Sequence, residues 1–355
     1  MNDRSLCAVV PACCLAAGCG SLSGGPAVDA PAVVTRDVDW QGWKAIEQTN
    51  GLITLRHVPA AGGRTLSLEI GGDDAFLVFP NERGRCYSVD GRPASVHFGG
   101  HYVCIGPETM WSVHEQPFNP HGGPHEARRQ IERADGHEVS LVSRPGTSKN
   151  ATVSMERRIV VRSGSTHITV DEVVTNHGTD PLEFYIWDFT QIDAADHRKP
   201  APHPLRRLSF YVPVPVRDGR KQYTVFMPRD PAKQRQFDET LPTDVLAIHY
   251  AAEQFKIASH AEQWWIAAVD HDTGWTYVKV FDADAHARHV DGNGPIEVYG
   301  SFMTEPAGQP FVEMELLGGI RRCARGESVR HRESWYACIC KGPVLEFSPA
   351  GVVCE

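Results

Sequence analysis

The chain has 355 residues, 41% of them hydrophobic, and a formal net charge of −9. That length suits one large domain or two ordinary ones with a substantial core. With 35 Lys and Arg against 44 Asp and Glu, and no basic stripe, nucleic acid is excluded as a partner.

The N-terminus reads MNDRSLCAVVPACCLAAGCGS: one arginine, an apolar run, then small residues before Cys19. The run is too short to span a bilayer as a helix and has the layout of an export signal. Its LAAGC resembles a bacterial lipobox. The resemblance implies cleavage before Cys19, lipidation of that thiol and anchorage in the cell envelope, on the periplasmic side of a membrane; a plain secretory signal is the alternative. Residues 1–18 are then the signal, and 19–39, rich in Gly, Ser, Pro and Ala, a flexible tether. Residues 40–355 are the folded domain. Beyond the signal lie Cys86, Cys104, Cys323, Cys338, Cys340 and Cys354, with no CxxC spacing, which argues against a zinc ribbon. Export permits disulfides. Cys338 and Cys340, two apart on a predicted strand, point the same way and cannot easily bridge each other.

From residue 51 onward, strand-length runs follow one another. GLITLRHVP and RTLSLEIGG alternate apolar and polar positions, the period of a half-buried strand. DAFLVF, HEVSLVSR, ATVSMERRIVVRSG, THITVDEVVTN, LEFYIWDFTQI and further runs continue to SVRHRESWYACIC, many separated by Gly-, Asn- and Asp-bearing turns. PHEARRQIERA, residues 124–134, is the one moderate helix candidate. The two tryptophans of QWW, Trp264 and Trp265, must face opposite sides of a strand. No fixed repeat marks a propeller or β-helix. So many strands with so little helix predict an all-β fold: a large two-sheet antiparallel β-sandwich in one domain.

Three segments concentrate chemistry. GGHYVCIGPE, residues 99–108, opens a histidine-rich stretch holding His97, His101, His114, His121 and His125. Gly99 and Gly100 allow a tight turn or a close backbone approach to a ligand. Trp111 and Phe118 offer flat apolar faces, and His121, His125, Glu126 and Arg128 offer donors and acceptors. His121 and His125 are four apart, but GGP between them prevents a helix, which excludes the metalloprotease pair; no metal is expected. In FYIWDFTQID, Trp187 and Asp188 sit mid-strand with Thr190 on the side of Asp188. In FVEMELLGG, Glu313 and Glu315 share one face opposite Val312, Met314 and Leu316. Two carboxylates roughly 7 Å apart suit acid–base work or hydroxyl binding, or form an ordinary solvent-facing row. Asp282, Asp284 and Asp291 do not make an EF-hand loop.

Several of these stretches together resemble the galactose-mutarotase-like proteins. TNGLITLRHVPAAGGRTLSLEIGG is similar to their opening hairpin. GGHYVCIGPE resembles the corresponding stretch of a bacterial branch of uncharacterised function, the DUF4380 type, and of sugar-phosphate epimerases. VEMELLGGIRRCARGESVRHRESWY resembles their C-terminal strand pair. The resemblance spans roughly residues 49–340 and implies a β-supersandwich without cofactor, a monomer whose partner is a sugar or polysaccharide. It implies an exported carbohydrate-binding protein or, alternatively, an aldose 1-epimerase-like isomerase that opens and recloses a sugar ring with a Glu base and a His acid. On that mapping Glu313 or Glu315 is the base. Asp188 or Trp187 stands where the acid histidine belongs, so the acid falls to His125, to His101 or to an Asp188 whose pKa is raised by burial. Arg64, His101, Glu108, Trp111, His121, Arg128 and Trp187 line the sugar site.

Overall fold

The computed structural model describes residues 5–8, 32–85, 98–110, 126–133, 136–143, 145–148, 151–227, 235–282, 284, 286–290, 294–301, 309–340, 342–348 and 351–354. The alternating runs form two large antiparallel sheets, of 12 and 11 strands among the described residues. Six neighbouring strands of the first sheet position the site: Phe255–Ser259, Ile296–Gly300, Phe311–Leu317, Leu182–Asp193, His101–Gly106 and Arg64–Ile70, in that spatial order. The second sheet places Trp265–Asp270, Trp275–Phe281, Ser328–Ile339, Ile168–Asn176 and Ala151–Arg162 side by side. Among the described residues no helix is long and apolar enough to cross a membrane.

Period two sends every second residue of each strand between the sheets. Val312, Met314 and Leu316 point inward, as their spacing predicts, and join Val298, Ile257 and Leu68. From the facing sheet come Ile159, Val170, Phe210, Ile266, Tyr277 and Trp335. Burying each large side chain contributes about 1.5–3 kcal/mol. Phe76 meets both Tyr277 and Trp335 edge-on, with ring centroids 5.4 and 6.0 Å away. Of the adjacent tryptophans, Trp265 is buried in a smaller outer cluster and Trp264 packs against the main core, on opposite sides of the strand.

One expectation needs correction. Glu126–Arg133, the helix candidate, is a strand paired with Gly136–Val142. Helix propensity is a weak prior, and a sheet edge with open donors and acceptors overrides it here. Val34–Trp40, inside the stretch read as tether, pairs with Trp43–Thr49, so regular structure begins before residue 40. Ser5–Ala8, inside the stretch read as signal, pairs with Gly351–Cys354. Among the described cysteines, Cys104, Cys323 and Cys338 keep their thiols and Cys340 is disulfide-bonded.

Candidate functional site

Residues directly opposite one another in an antiparallel pair share a face. Trp187 lies opposite Cys104, Phe189 opposite Tyr102 and Glu315, and Gln191 opposite Glu313. Glu315 in turn faces Glu297, and Glu313 faces Tyr299, which lies opposite Lys256. All of these side chains project from the first sheet away from the sandwich core. They form a polar and aromatic hollow.

An aromatic row floors it. Tyr102 stacks on Phe189 at 5.0 Å, Phe189 meets Trp187 at 4.8 Å, and Tyr185 lies 6.1 Å from Trp187. Gly106 lies opposite Tyr185, and a methyl group there would overlap the tyrosine ring. Arg64 closes one end with its guanidinium 3.8 Å from the Tyr102 centroid and Nη1 donating to the Gly99 carbonyl at 3.0 Å. Gly99 and Gly100 have φ of +94° and +66°. Their missing side chains let the chain pass against the backbones of Leu77 and Thr65.

The charged groups lie at the other end. Lys256 Nζ is 2.6 Å from Glu297 Oε2 and 3.1 Å from Glu315 Oε2, and sits 5.1 Å from the Trp187 ring centroid. Trp187 Nε1 donates to Glu315 Oε2 at 2.9 Å, and Gln191 Nε2 donates to Glu313 Oε1 at 2.7 Å. The Lys256 side chain is 20% exposed, whereas those of Glu297 and Glu315 behind it are fully covered. A cavity of about 350 Å³ opens here, lined by Pro107, Thr109, Tyr185, Trp187, Phe226, Lys256 and Glu297. Burial and then the charge of Glu315 push Glu297 up to about 8, against the pull of Lys256. The same two causes push Glu313 up to about 7, opposed by the Gln191 hydrogen bond, Lys256 and Arg64. The two carboxyls therefore change protonation near neutral pH, the range acid–base chemistry needs.

Arg64, Trp187, Glu313 and Glu315 thus come together on one face. Asp188 and His101 do not join them, which corrects the acid and hydroxyl-binding roles assigned above. Asp188 lies opposite Leu316 and Val103, and His101 opposite Thr190 and Thr65; this is the inward parity. Both are fully buried between the sheets. The Lys279 ammonium contacts Asp188 and lies 3.6 Å from Glu333. His331 Nε2 is 3.3 Å from Asp188 and 3.5 Å from Glu333, and Trp335 Nε1 donates to Glu333 at 2.8 Å. Arg157 pairs with Glu172 at 2.5 Å, and His101 Nδ1 bonds Thr190 Oγ1 at 2.9 Å. Burial opposes a charge on His331, but Asp188 and Glu333 outweigh it and hold the imidazole up at about 9. Burial drives His101 well below the usual histidine range, so it is neutral. Arg157, Lys279 and protonated His331 thus lie among Asp188, Glu172 and Glu333, of which burial pushes Glu172 up to about 7. His101, Asp188 and Glu333 bring ligand-type atoms within 4.8 Å of one another. The Lys279 ammonium already lies among them, so an added metal ion would meet a fixed like charge in a low-dielectric interior.

His121, His125, Trp111 and Cys19 lie outside the described residues. Glu108 sits in a short 3₁₀ turn and Arg128 on a strand, with their side chains outside the description. The sequence reading missed Lys256 and Glu297 as site residues. Their one signal is a charged residue at mid-strand in FKIAS and PIEVYGSFM, and nothing in the chain links two positions 41 residues apart.

The family model for the domain of unknown function DUF4380 matches residues 44–338. No curated protein matches the chain. Among solved structures, a candidate aldose 1-epimerase from Klebsiella pneumoniae superposes with a TM-score of 0.59 at 13% identity, over 87% of this chain and 84% of the other. A galactose mutarotase-like protein from Clostridium acetobutylicum gives 0.53 at 9% identity, over 88% and 99%. At such identities the likeness establishes the fold, and the family match covers most of the chain. The chain is a member of the DUF4380 family, built as a galactose-mutarotase-like β-sandwich.

Proposed function

We propose that the chain is an exported protein that binds a neutral sugar, free or at the end of a polysaccharide, over Trp187. The observation that carries this is the cavity: aromatic rings on its floor, the Glu297 carboxyl and the Lys256 ammonium at its end, and a volume within the about 300–1,000 Å³ of small-molecule sites. A sugar ring presents an apolar C–H face and a rim of hydroxyls, which match those two kinds of wall. Lys256 is already paired with two carboxylates, so the cavity lining carries no surplus positive charge for a phosphate or uronate. Export is supported by the lipobox-like LAAGC at Cys19 and by the disulfide at Cys340, a bond that persists in oxidising compartments. The test is a titration of a panel of neutral sugars, uronates and sugar phosphates, followed by ligand-observed NMR. Neutral sugars bind, and Trp187→Ala weakens them by about tenfold, the loss of one good stacking contact. A panel with no neutral binder, or binding indifferent to Trp187→Ala, refutes the proposal.

A second reading, interconversion of the bound sugar's anomers, is favoured by Glu313. This half-buried carboxyl, on the same face of its strand as Glu315, is pushed up to about 7 by burial and by Glu315, as a base for an anomeric hydroxyl requires. Polarimetry of a freshly dissolved anomer checks it: the chain speeds the change, and Glu313→Gln abolishes the acceleration while leaving the fold intact.

A further inference from the structure

We infer that Phe226 is a second aromatic side of the sugar site, and that Phe226 and Trp187 together select a pyranose whose ring substituents are all equatorial. The inference rests on the sugar-binding reading and names the class of sugar within it. Phe226 lies on Thr224–Met227, the edge of the first sheet among the described residues. The pairing of that strand with Phe255–Ser259 carries a bulge. Val225 lies opposite Ile257 and Met227 opposite Lys256, so Phe226 is the extra residue between them. A bulge re-aims a side chain at the margin of a sheet. Val225 packs against the main core, whereas Phe226 belongs to none of the hydrophobic clusters of the described residues and lines the cavity instead. Edge strands usually carry charge or proline against unwanted pairing. A half-buried phenyl ring there is a liability unless a ligand covers it.

The strands of Lys256 and Glu297 lie between those of Phe226 and Trp187, and all four side chains line one cavity of about 350 Å³. The cavity therefore has one aromatic side at Trp187 and Tyr185, another at Phe226, and the charged pair between. An ammonium has three N–H donors. Glu297 and Glu315 take two directions from Lys256, which leaves one for a hydroxyl oxygen. A pyranose with every substituent equatorial holds its hydroxyls near the ring plane and shows axial C–H bonds on both faces. Its two faces meet the two aromatic sides, and its hydroxyl rim meets the charged pair. One axial hydroxyl makes one face polar, and against an aromatic ring that hydroxyl is desolvated without a hydrogen-bond partner. A site with a single aromatic side accepts such a sugar by its other face. A site with two does not, so Phe226 is the residue that reads the configuration.

Calorimetric titration of the full chain tests this. The ligands are methyl β-glucopyranoside, all equatorial, and two epimers with one axial hydroxyl each, methyl β-galactopyranoside and methyl β-mannopyranoside. The three free sugars are titrated in parallel, so that a site needing the anomeric hydroxyl is read as well. The gluco compound binds at least about tenfold tighter than either epimer, the scale of one good stacking contact. Phe226→Ala narrows that preference to below about threefold, chiefly by weakening the gluco compound. Phe226→Tyr keeps it, which separates a lost ring from a damaged fold. Trp187→Ala weakens the gluco compound as well. Equal binding of the epimers, tighter binding of an axial one, a preference unmoved by Phe226→Ala, or one lost equally in Phe226→Tyr overturns selection by Phe226 and leaves the sugar-binding reading standing. No binding of any neutral sugar or glycoside overturns that reading and this inference with it.

Discussion

Asp188→Asn separates a structural role from a catalytic one. Asp188 is fully buried, contacts the Lys279 ammonium and lies 3.3 Å from His331. The substitution keeps the shape and removes the charge, leaving Lys279 with Glu333 at 3.6 Å and the Met314 carbonyl at 3.3 Å. His331 also loses one of the two carboxylates that hold it up at about 9. A rise from 6.5 to about 9 corresponds to about 3 kcal/mol of preference for the charged form, shared between Asp188 and Glu333. Adding the broken lysine pair gives a total loss of about 3–5 kcal/mol, the usual cost of removing one partner from a buried pair. Urea unfolding at pH 7 measures it, and a sugar titration on the same protein shows affinity close to wild type, because Asp188 points away from the hollow. Lys279→Met alone costs a similar amount, and the double variant costs clearly less than the sum. An Asp188→Asn variant as stable as the wild type but without sugar binding refutes the placement of Asp188 in the structural interior.

His331 gives the fold a pH signature. Its pKa is raised above the unfolded value, so its stabilisation is complete below about 6.5 and disappears as pH rises through about 9. The stability difference between wild type and His331→Gln therefore shrinks from about 3 kcal/mol at pH 6 toward zero at pH 10; a difference constant with pH in urea titrations contradicts the assignment. Gly100 has φ of +66°, and a methyl group there would collide with the Thr65 carbonyl and the Leu66 backbone. Gly100→Ala costs about 2–4 kcal/mol in the same assay, from left-handed strain plus a displaced backbone, and a loss below about 0.5 kcal/mol removes the close-approach argument.

Much of the fold was legible because antiparallel strands with one buried face write their parity into the chain. Glu313 and Glu315 against Val312, Met314 and Leu316 show it, and the structure keeps that division. Parity also dictates that Trp187 and Asp188 face opposite ways. It does not say which way, because LEFYIWDFTQID is large and apolar on both faces and only Glu183 in it is exposed. The choice is made by register with Phe311–Leu317 and His101–Gly106, strands distant in the chain. His101 was misread for the same reason: a histidine between glycines and a strand looks available, yet its partner Thr190 sets it on the inner face. The buried ions were hidden more deeply. Nothing local marks Lys279 in WTYVKVFD or Glu333 in HRESW as buried, and their burial is made tolerable by their pairing across neighbouring strands of one sheet and by Asp188 of the facing sheet, which contacts Lys279.

That hidden cluster bears on the hollow. A strand apolar on both faces is poorly registered by hydrophobicity alone, since a one-residue slip exchanges one set of aromatic side chains for another. Asp188 removes the degeneracy. A slip of Leu182–Asp193 against its neighbours would turn Asp188 toward the hollow and set Trp187 against Lys279, leaving the ammonium buried without one of its carboxylates at a cost of several kcal/mol. The same slip would take the Trp187 indole from Glu315 and the Gln191 amide from Glu313. The interior ion pair, inert toward any ligand, therefore penalises the one rearrangement that most easily dismantles the site. The charge read from the sequence as a catalytic acid serves the hollow from the opposite face of its own strand.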